Sequence, residues 1–492
     1  MDTAEGHSLP SASCGDGRKR RVCYYYDPGI ANVDYGADHC MVPRRVAMAH
    51  ALVEKYGLLA DMERLRVRPA TEAELRAFHD DAYVRLLRDI TPDAYHGHLD
   101  GDIRDRATAC QLGVPGTDAA AYDNPVIDGL WDYCLRYAGG SLAAARALAD
   151  GSSDIAINWS GGMHHACRGK ASGFCYVNDI VLAIQELLKH FERVLYVDID
   201  VHHGDGVEKH FKTESRVMTV SFHQKDIDRL GKPFFPGTGK AEDVGEGKGK
   251  YYTLNVPMKA GMDDERYQQL FRPIMDKVME KFVPDAVVLQ CGADSLYDDR
   301  LGDFRLSVKG HAGCVGYLRS FNVPLLLLGG GGYTVNHVAC CWCYETAIAV
   351  GKEEEISDDI PFHGYEHYYR DQGYKLHFKV PKRAGNKIDD ATHKIKQDAL
   401  MNLAMLKPPP TTVGQYRPSK SHAINVEALC DQKQDKKPKK YRYHREDDDP
   451  MERLHRLCGE ADRYNFFTEL GKRKKCDRCE PNANVNTTPS VP

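Results

Sequence analysis

The run VLYVDIDVHHGDG, residues 194–206, constrains the fold of this chain more than any other stretch. It opens on consecutive apolar residues with no polar alternation, which suits a strand covered on both faces in a parallel sheet. Six further runs share that texture: RVCYYY (21–26), SDIAINW (153–159), VMTVSFH (217–223), YYTLNVPM (251–258), DAVVLQCG (285–292) and VPLLLLGGGG (323–332). Amphipathic segments lie between them, among them GSLAAARALAD (140–150), VNDIVLAIQELLKHF (177–191) and DDERYQQLFRPIMDKVMEKF (263–282). This β–α alternation predicts a doubly wound α/β domain, a central and largely parallel sheet flanked by helices.

With 492 residues, 42% of them hydrophobic and 28% charged, the chain has ample material for a core. Its net charge of −5, from 66 basic and 71 acidic residues, does not suggest a dedicated nucleic-acid binder, and no direct sequence-specific DNA binding is expected. No run approaches the ~18 apolar residues of a membrane span, and MDTAEGHSLPSASCGDGRKRR lacks the apolar core of a signal peptide. No membrane partner is expected. Sixteen cysteines without a secretory signal read as reduced thiols. CCWC (340–343) is expected to supply buried small hydrophobes, and CDRC (476–479) offers only two of the four ligands of a closed zinc site. Residues 1–20 are expected to be disordered, 21–400 to form the catalytic α/β domain, and 401–492 to be a charged, largely disordered tail. KKPKK and KRKK within that tail fit nuclear-import or nucleic-acid patches.

In an open α/β sheet, ligands gather at the carboxyl ends of the strands. Strand alternation puts Asp198 and Asp200 on one face of VLYVDIDVHHGDG, and His202 continues that face. Two carboxylates in a dry interior require a cation or hydrogen bonds to offset their desolvation. Asp200 and His202 offer one oxygen and one nitrogen to a single ion, and Asp294, closing VVLQCGADSL, is the natural third ligand. Two oxygens and one nitrogen with an open fourth position describe a hydrolytic zinc site, although so carboxylate-rich a set also admits other divalent ions. WSGGMHHACRGKASGFC (159–175) adds His164 and His165 behind two glycines, a pair suited to take a proton from water and give one to a leaving amine. Asp198 and Asp205 are available to orient that pair. LLLLGGGGYTV (325–335) ends in four glycines and Tyr333, with no Lys-Ser/Thr as in a P-loop. That turn is expected to be pliable and to place the Tyr333 hydroxyl over the metal as a donor to an oxyanion.

Taken together, WSGGMHHA, ASGFCYVND, DIDVHHGDGVE, FFPGTG, QCGADSL followed by DDRLG, and LGGGGYT closely resemble the class I zinc-dependent histone deacetylases over about residues 20–400. The resemblance implies the arginase/deacetylase α/β fold, with one catalytic Zn2+ at the foot of a narrow tunnel. It implies Asp200, His202 and Asp294 as zinc ligands, and His164 and His165 as the catalytic pair backed by Asp198 and Asp205. Tyr333 matches the carbonyl-polarising tyrosine. Gly173, Phe174, Phe235 and Leu301 match the tunnel walls around the acetyl-lysine stem, and Asp123 the rim aspartate that holds the substrate backbone. A structural K+ near Asp198, Asp200, His202, Ser221 and Phe222 is also implied. The implied activity is hydrolysis of N6-acetyl-lysine in histones, with other proteins open, and repression of transcription through chromatin. Acetylated histone tails and corepressor subunits are the implied partners, and the nucleus the implied location, with the cytoplasm also open.

The departures from the family are specific. DHCMVPRR (38–45) stands where GHPMKPHR is usual, so Val42 replaces a lysine and Asp38 a glycine; Asn336, in NHVACCW, replaces an arginine. That lysine and arginine belong to a basic pocket through which several class I members bind inositol phosphate together with a corepressor. Arg300 remains, but inositol phosphate binding is expected to be weak or absent. CRGK (167–170) and the longer loop HQKDIDRLGKPFFPG also depart, which leaves substrate preference open. Three other readings share the fold: a deacetylase of small amides such as acetylpolyamines, a two-manganese ureohydrolase, and an inert scaffold for corepressor assembly. The ureohydrolase needs more Asp and His ligands than can be assembled and gives Tyr333 no role.

Overall fold

The computed structural model describes residues 20–36, 38–96, 101–113, 123–228, 231–381 and 390–406. The expectations for the N-terminus through residue 19 and for the tail from 407 on, with CDRC, KKPKK and KRKK, lie outside the described residues.

Apolar runs with no alternation need helices on both sides, and they have them. Among the described residues, eight strands form one sheet: β1 Val22–Tyr26, β2 Glu63–Arg66, β3 Ile155–Asn158, β4 Val194–Asp198, β5 Val217–Gln224, β6 Thr253–Met258, β7 Ala286–Gln290 and β8 Leu325–Leu328. Every pairing is parallel, in the order β2-β1-β3-β8-β7-β4-β5-β6. Alternate residues of β1, β3, β4, β5, β7 and β8 feed two separate cores. Leu195, Val197, Leu325 and Leu327 face helices Arg44–Lys55, Asp264–Phe282, Val308–Arg319 and Val335–Val350. Val194, Tyr196, Leu326 and Leu328 face helices Leu130–Ala149 and Asp179–Leu187. This is the three-layer arrangement expected of the arginase/deacetylase fold.

Seven of the strands lie on runs legible in the sequence; β2, reading ERLR, does not. It is a short edge strand, exposed at three of its four positions, and its charges blunt an edge that apolar residues would leave open to other chains. Helix Asp390–Ala404 packs beside β6, where Ala399, Leu403 and Leu406 are buried and the Asn402 amide donates to the Ala241 carbonyl at 3.1 Å. CCWC falls in helix Val335–Val350 with all three cysteines buried, as expected. No helix among the described residues is long and apolar enough to cross a membrane.

Candidate active site

Four adjacent strands, β3, β8, β7 and β4, end level with one another, with Asn158 opposite Leu328, Leu328 opposite Gln290 and Gln290 opposite Asp198. The loops leaving those four ends carry His164, His165, Asp200, His202, Asp205, Asp294 and Tyr333, whereas Phe235 follows β5 and Asp123 precedes helix Leu130–Ala149. After β4 the ladder stops at Asp198, yet the alternation persists: Ile199 and Val201 stay in the apolar core, so Asp198, Asp200 and His202 share the opposite side.

Asp200, His202 and Asp294 come together, all three buried, with one donor atom from each within 4.8 Å of the others. His202 Nδ1 lies 3.0 Å from Asp200 Oδ1 and 3.0 Å from Asp294 Oδ2. Burial and the Asp200 charge push the Asp294 carboxyl up to about 7. Burial alone would depress His202, but the Asp294 and Asp200 carboxylates outweigh it and hold the ring at about 10. Two buried carboxylates thus draw a proton to the place where a cation would relieve them, and the donor set of two oxygens and one imidazole nitrogen fits Zn2+.

Beside this centre, each histidine of the pair has its own carboxylate. His164 Nδ1 is 2.8 Å from Asp198 Oδ2, and His165 Nδ1 is 2.7 Å from Asp205 Oδ1. A carboxylate only accepts, so each Nδ1 carries the proton and each Nε2 is left to meet substrate or water. Burial opposes charging of both rings. The Asp198 and Asp200 carboxylates override it at His164, held at about 9; at His165, burial and the neighbouring His164 prevail and push it down to about 4. A cation on Asp200 would cancel part of its pull on His164 and lower that value.

Phe174 meets the Tyr333 ring edge-on at 5.6 Å between centroids, and Phe235, 41% exposed, meets His165 at 5.0 Å and His202 at 6.0 Å. Gly173 sits between the His165 and Phe235 rings, where an added Cβ would come within 2.6 Å of one and 2.9 Å of the other. Leu301 is partly buried in the same apolar cluster as Phe174 and Tyr333. Asp123 is half-buried, with its carboxyl pushed up by burial, and shares no hydrogen bond with this cluster among the described residues. Ser221 is the register partner of Asp198, whereas the Phe222 ring packs into the core against Phe271, so only its backbone can face the Asp198 side.

Several supports escaped the sequence reading. Gln290 closes an otherwise apolar strand; its amide donates to Asp200 Oδ2 at 2.9 Å, and its carbonyl accepts the Gly292 N–H at 2.8 Å. A lone amide in a buried run was the signal. Asp179 accepts the Gly162 and Met163 N–H groups, both at 2.9 Å, and so fixes the turn before the histidine pair. Arg45 donates to the carbonyls of Gly330 and Gly332 from a buried position, although a cation on an amphipathic helix ordinarily marks the wet face. The glycine turn expected to be pliable is therefore held. Its glycines serve close approach: the Gly331 N–H donates to Asp200 Oδ2 at 2.9 Å, and a Cβ there would lie 2.0 Å from Asp294 Oδ2. A second buried group, His311, Cys341 and Glu345, lies behind the centre, with His311 Nε2 2.9 Å from the Gly292 carbonyl.

Asn178 braces the pair from below, donating to the His164 and Ala166 carbonyls, and its own N–H donates to His79 Nε2 at 3.0 Å. His79 Nδ1 therefore carries the proton and donates to the Arg168 carbonyl at 3.1 Å. Burial holds this histidine down at about 4. The unfolded ring, near 6.5, binds a proton that the folded one refuses, so its contribution is complete above about pH 6.5 and is lost as pH falls toward 4. The expected loss is about 3 kcal/mol at full protonation. Urea unfolding at stepped pH should show the decline, and His79→Gln, which keeps one donor and one acceptor, should flatten it; equal slopes in both proteins would remove His79 as the cause.

Carboxylates and imidazole converging at the mouths of parallel strands, with carboxylate-oriented histidines alongside, define a metal-dependent hydrolase. The histone deacetylase domain matches residues 39–349. The chain is 53% identical over 416 residues to histone deacetylase 3 of Oryza sativa subsp. japonica, covering 84% of this chain and 77% of that relative. It is 52% identical over 427 residues to histone deacetylase 19 of Arabidopsis thaliana, covering 87% and 80%. It is 49% identical over 390 residues to histone deacetylase 1 of Homo sapiens, covering 79% and 76%. The chain belongs to the histone deacetylase family, the zinc-dependent hydrolases of acetyl-lysine.

Proposed function

We propose that this chain removes acetate from N6-acetyl-lysine in histone tails, with other acetylated proteins as further substrates, and represses transcription through chromatin. The observation that carries the reading is the buried Asp200–His202–Asp294 set lying beside two His–Asp pairs and beneath Phe174 and Phe235. Asp200, His202 and Asp294 hold the zinc. When bound, it polarises the acyl carbonyl and makes water acidic enough to attack at neutral pH. His164 and His165 take the proton from water and return one to the leaving lysine amine, with Asp198 and Asp205 setting their tautomers. Tyr333 donates its hydroxyl to the developing oxyanion. Gly173, Phe174, Phe235 and Leu301 clasp the methylene stem and exclude water, which disfavours a charged unmodified lysine head, and Asp123 holds the substrate backbone at the rim. Asp198, Asp200, His202, Ser221 and Phe222 would hold a structural potassium ion.

The test is acetate release from an acetylated histone-tail peptide, with acetylated polyamines in competition. Preference for the polyamine would move the protein to the small-amide class, and no release despite bound zinc would favour the scaffold. Corepressor subunits are proposed partners, and the basic clusters of the tail support a nuclear location.

Inositol phosphate binding is proposed to be weak or absent. Val42 and Asn336 bring no charge to the basic pocket, and the Asn336 amide is engaged with the Gln372 carbonyl at 2.7 Å. Calorimetric titration with a highly phosphorylated inositol should give no binding tighter than micromolar, and a sub-micromolar Kd would overturn the expectation.

A further inference from the structure

Asp299 is buried in the loop that follows Asp294. Its two oxygens grip two different segments. Oδ1 accepts the N–H groups of Leu301 at 2.9 Å and Gly302 at 3.3 Å. Oδ2 accepts those of Tyr333 at 2.7 Å and Thr334 at 3.2 Å. The Thr334 hydroxyl adds a bond to the Asp298 carbonyl at 2.8 Å. From the other side Arg45 holds the carbonyls of Gly330 and Gly332, so the turn carrying Tyr333 is gripped by its carbonyls and by its N–H groups at once.

A buried carboxylate is costly unless several donors compensate it, and here four backbone donors do. What that arrangement achieves is a link between two walls of one tunnel. Tyr333 follows four glycines, which by themselves leave the backbone free to wander. A hydroxyl that must meet a developing oxyanion loses about a hundredfold in rate when displaced by about 1 Å. We infer that Asp299 is a positioning residue for the deacetylation reaction. It straps the Tyr333 turn to the Leu301 wall, so that the groove holding the acyl-lysine stem and the hydroxyl facing its carbonyl are set by one side chain. The inference rests on the deacetylase reading for its catalytic consequence, but the strap itself can be tested without turnover.

Asp299→Asn removes the charge and leaves a single, weaker acceptor oxygen for both pairs of N–H donors, while its NH2 group opposes whichever pair it faces, so both grips are loosened. In the full-length, zinc-loaded protein, hydrogen exchange is expected to quicken at least ~10-fold in both segments, 300–303 and 331–335, while the β4 and β7 strands are unchanged. Faster exchange in one segment only, or in neither, would overturn the strap. In kinetics, Asp299→Asn should lower kcat ~10- to 100-fold with an unchanged zinc content. In the Tyr333→Phe background, where no hydroxyl remains to be placed, it should cost less than ~3-fold. An equal loss in both backgrounds would mean a merely structural role. If Asp299→Asn does not accumulate as folded protein, Asp299→Glu, which keeps the charge but lengthens the arm, is carried through the same two measurements. Absence of turnover in the wild type would count against the deacetylase reading instead, and the exchange result alone would then decide the strap.

Discussion

Asp294→Ala is expected to empty the site of zinc and to lower acetate release by about three orders of magnitude or more. The reason is electrostatic as much as geometric. Asp200 and Asp294 are both fully buried, and removing one leaves His202 and Asp200 to neutralise each other in place of the ion. Asp294 Oδ1 also accepts the Val201 N–H at 2.8 Å, so the variant leaves a buried donor unpaired and should lose about 1–3 kcal/mol of stability as well. Zinc content and turnover, measured on the same folded preparation, are expected to fall together. Full turnover in a zinc-free variant would remove this centre from the reaction.

Tyr333→Phe should behave differently, keeping its zinc and its KM while losing a factor of about 10² to 10³ in kcat. The ring is 6% exposed and packed against Phe174, so deletion of one oxygen leaves the packing intact. Burial and the Asp294 and Asp200 charges push the phenol well above its ordinary value, so it remains an O–H donor through the whole working range of the protein. An alkaline limb in the rate profile therefore belongs to another group. Steady-state kinetics with metal analysis checks this, and an unchanged kcat would leave the oxyanion without its proposed donor.

The residues that converge at the strand mouths were legible because each closes a run of one kind. Asp198, Asp200 and His202 follow VLYV, Asp294 follows VVLQCG and Tyr333 follows LLLLGGGG; a buried strand that breaks into carboxylates or glycines marks its own carboxyl end. The supports were not. Arg45, Asp179 and Asp299 sit in segments whose local pattern gives a charged residue no reason to point inward, and their partners lie 285, 17 and 34 residues away. The edge strand β2 was hidden for a related reason, since its charges belong to the sheet border and only pairing with β1 makes it a strand.

Local sequence determined most of the elements, the class of sheet and which carboxylates and histidines to single out, because apolar texture and side-chain chemistry act within a few residues. Only the tertiary structure decided which strand ends meet. The last two strands, β7 and β8, insert between β3 and β4, and this brings the histidine pair, the loops carrying Asp200, His202 and Asp294, and the tyrosine turn to four neighbouring mouths. Parallel pairing leaves no mark on nearby residues, because each strand's partner arrives through a long crossover and is chosen by burial of the whole sheet. The clamps on that assembly, Arg45 on carbonyls and Asp299 on N–H groups, exist only once those strands lie side by side.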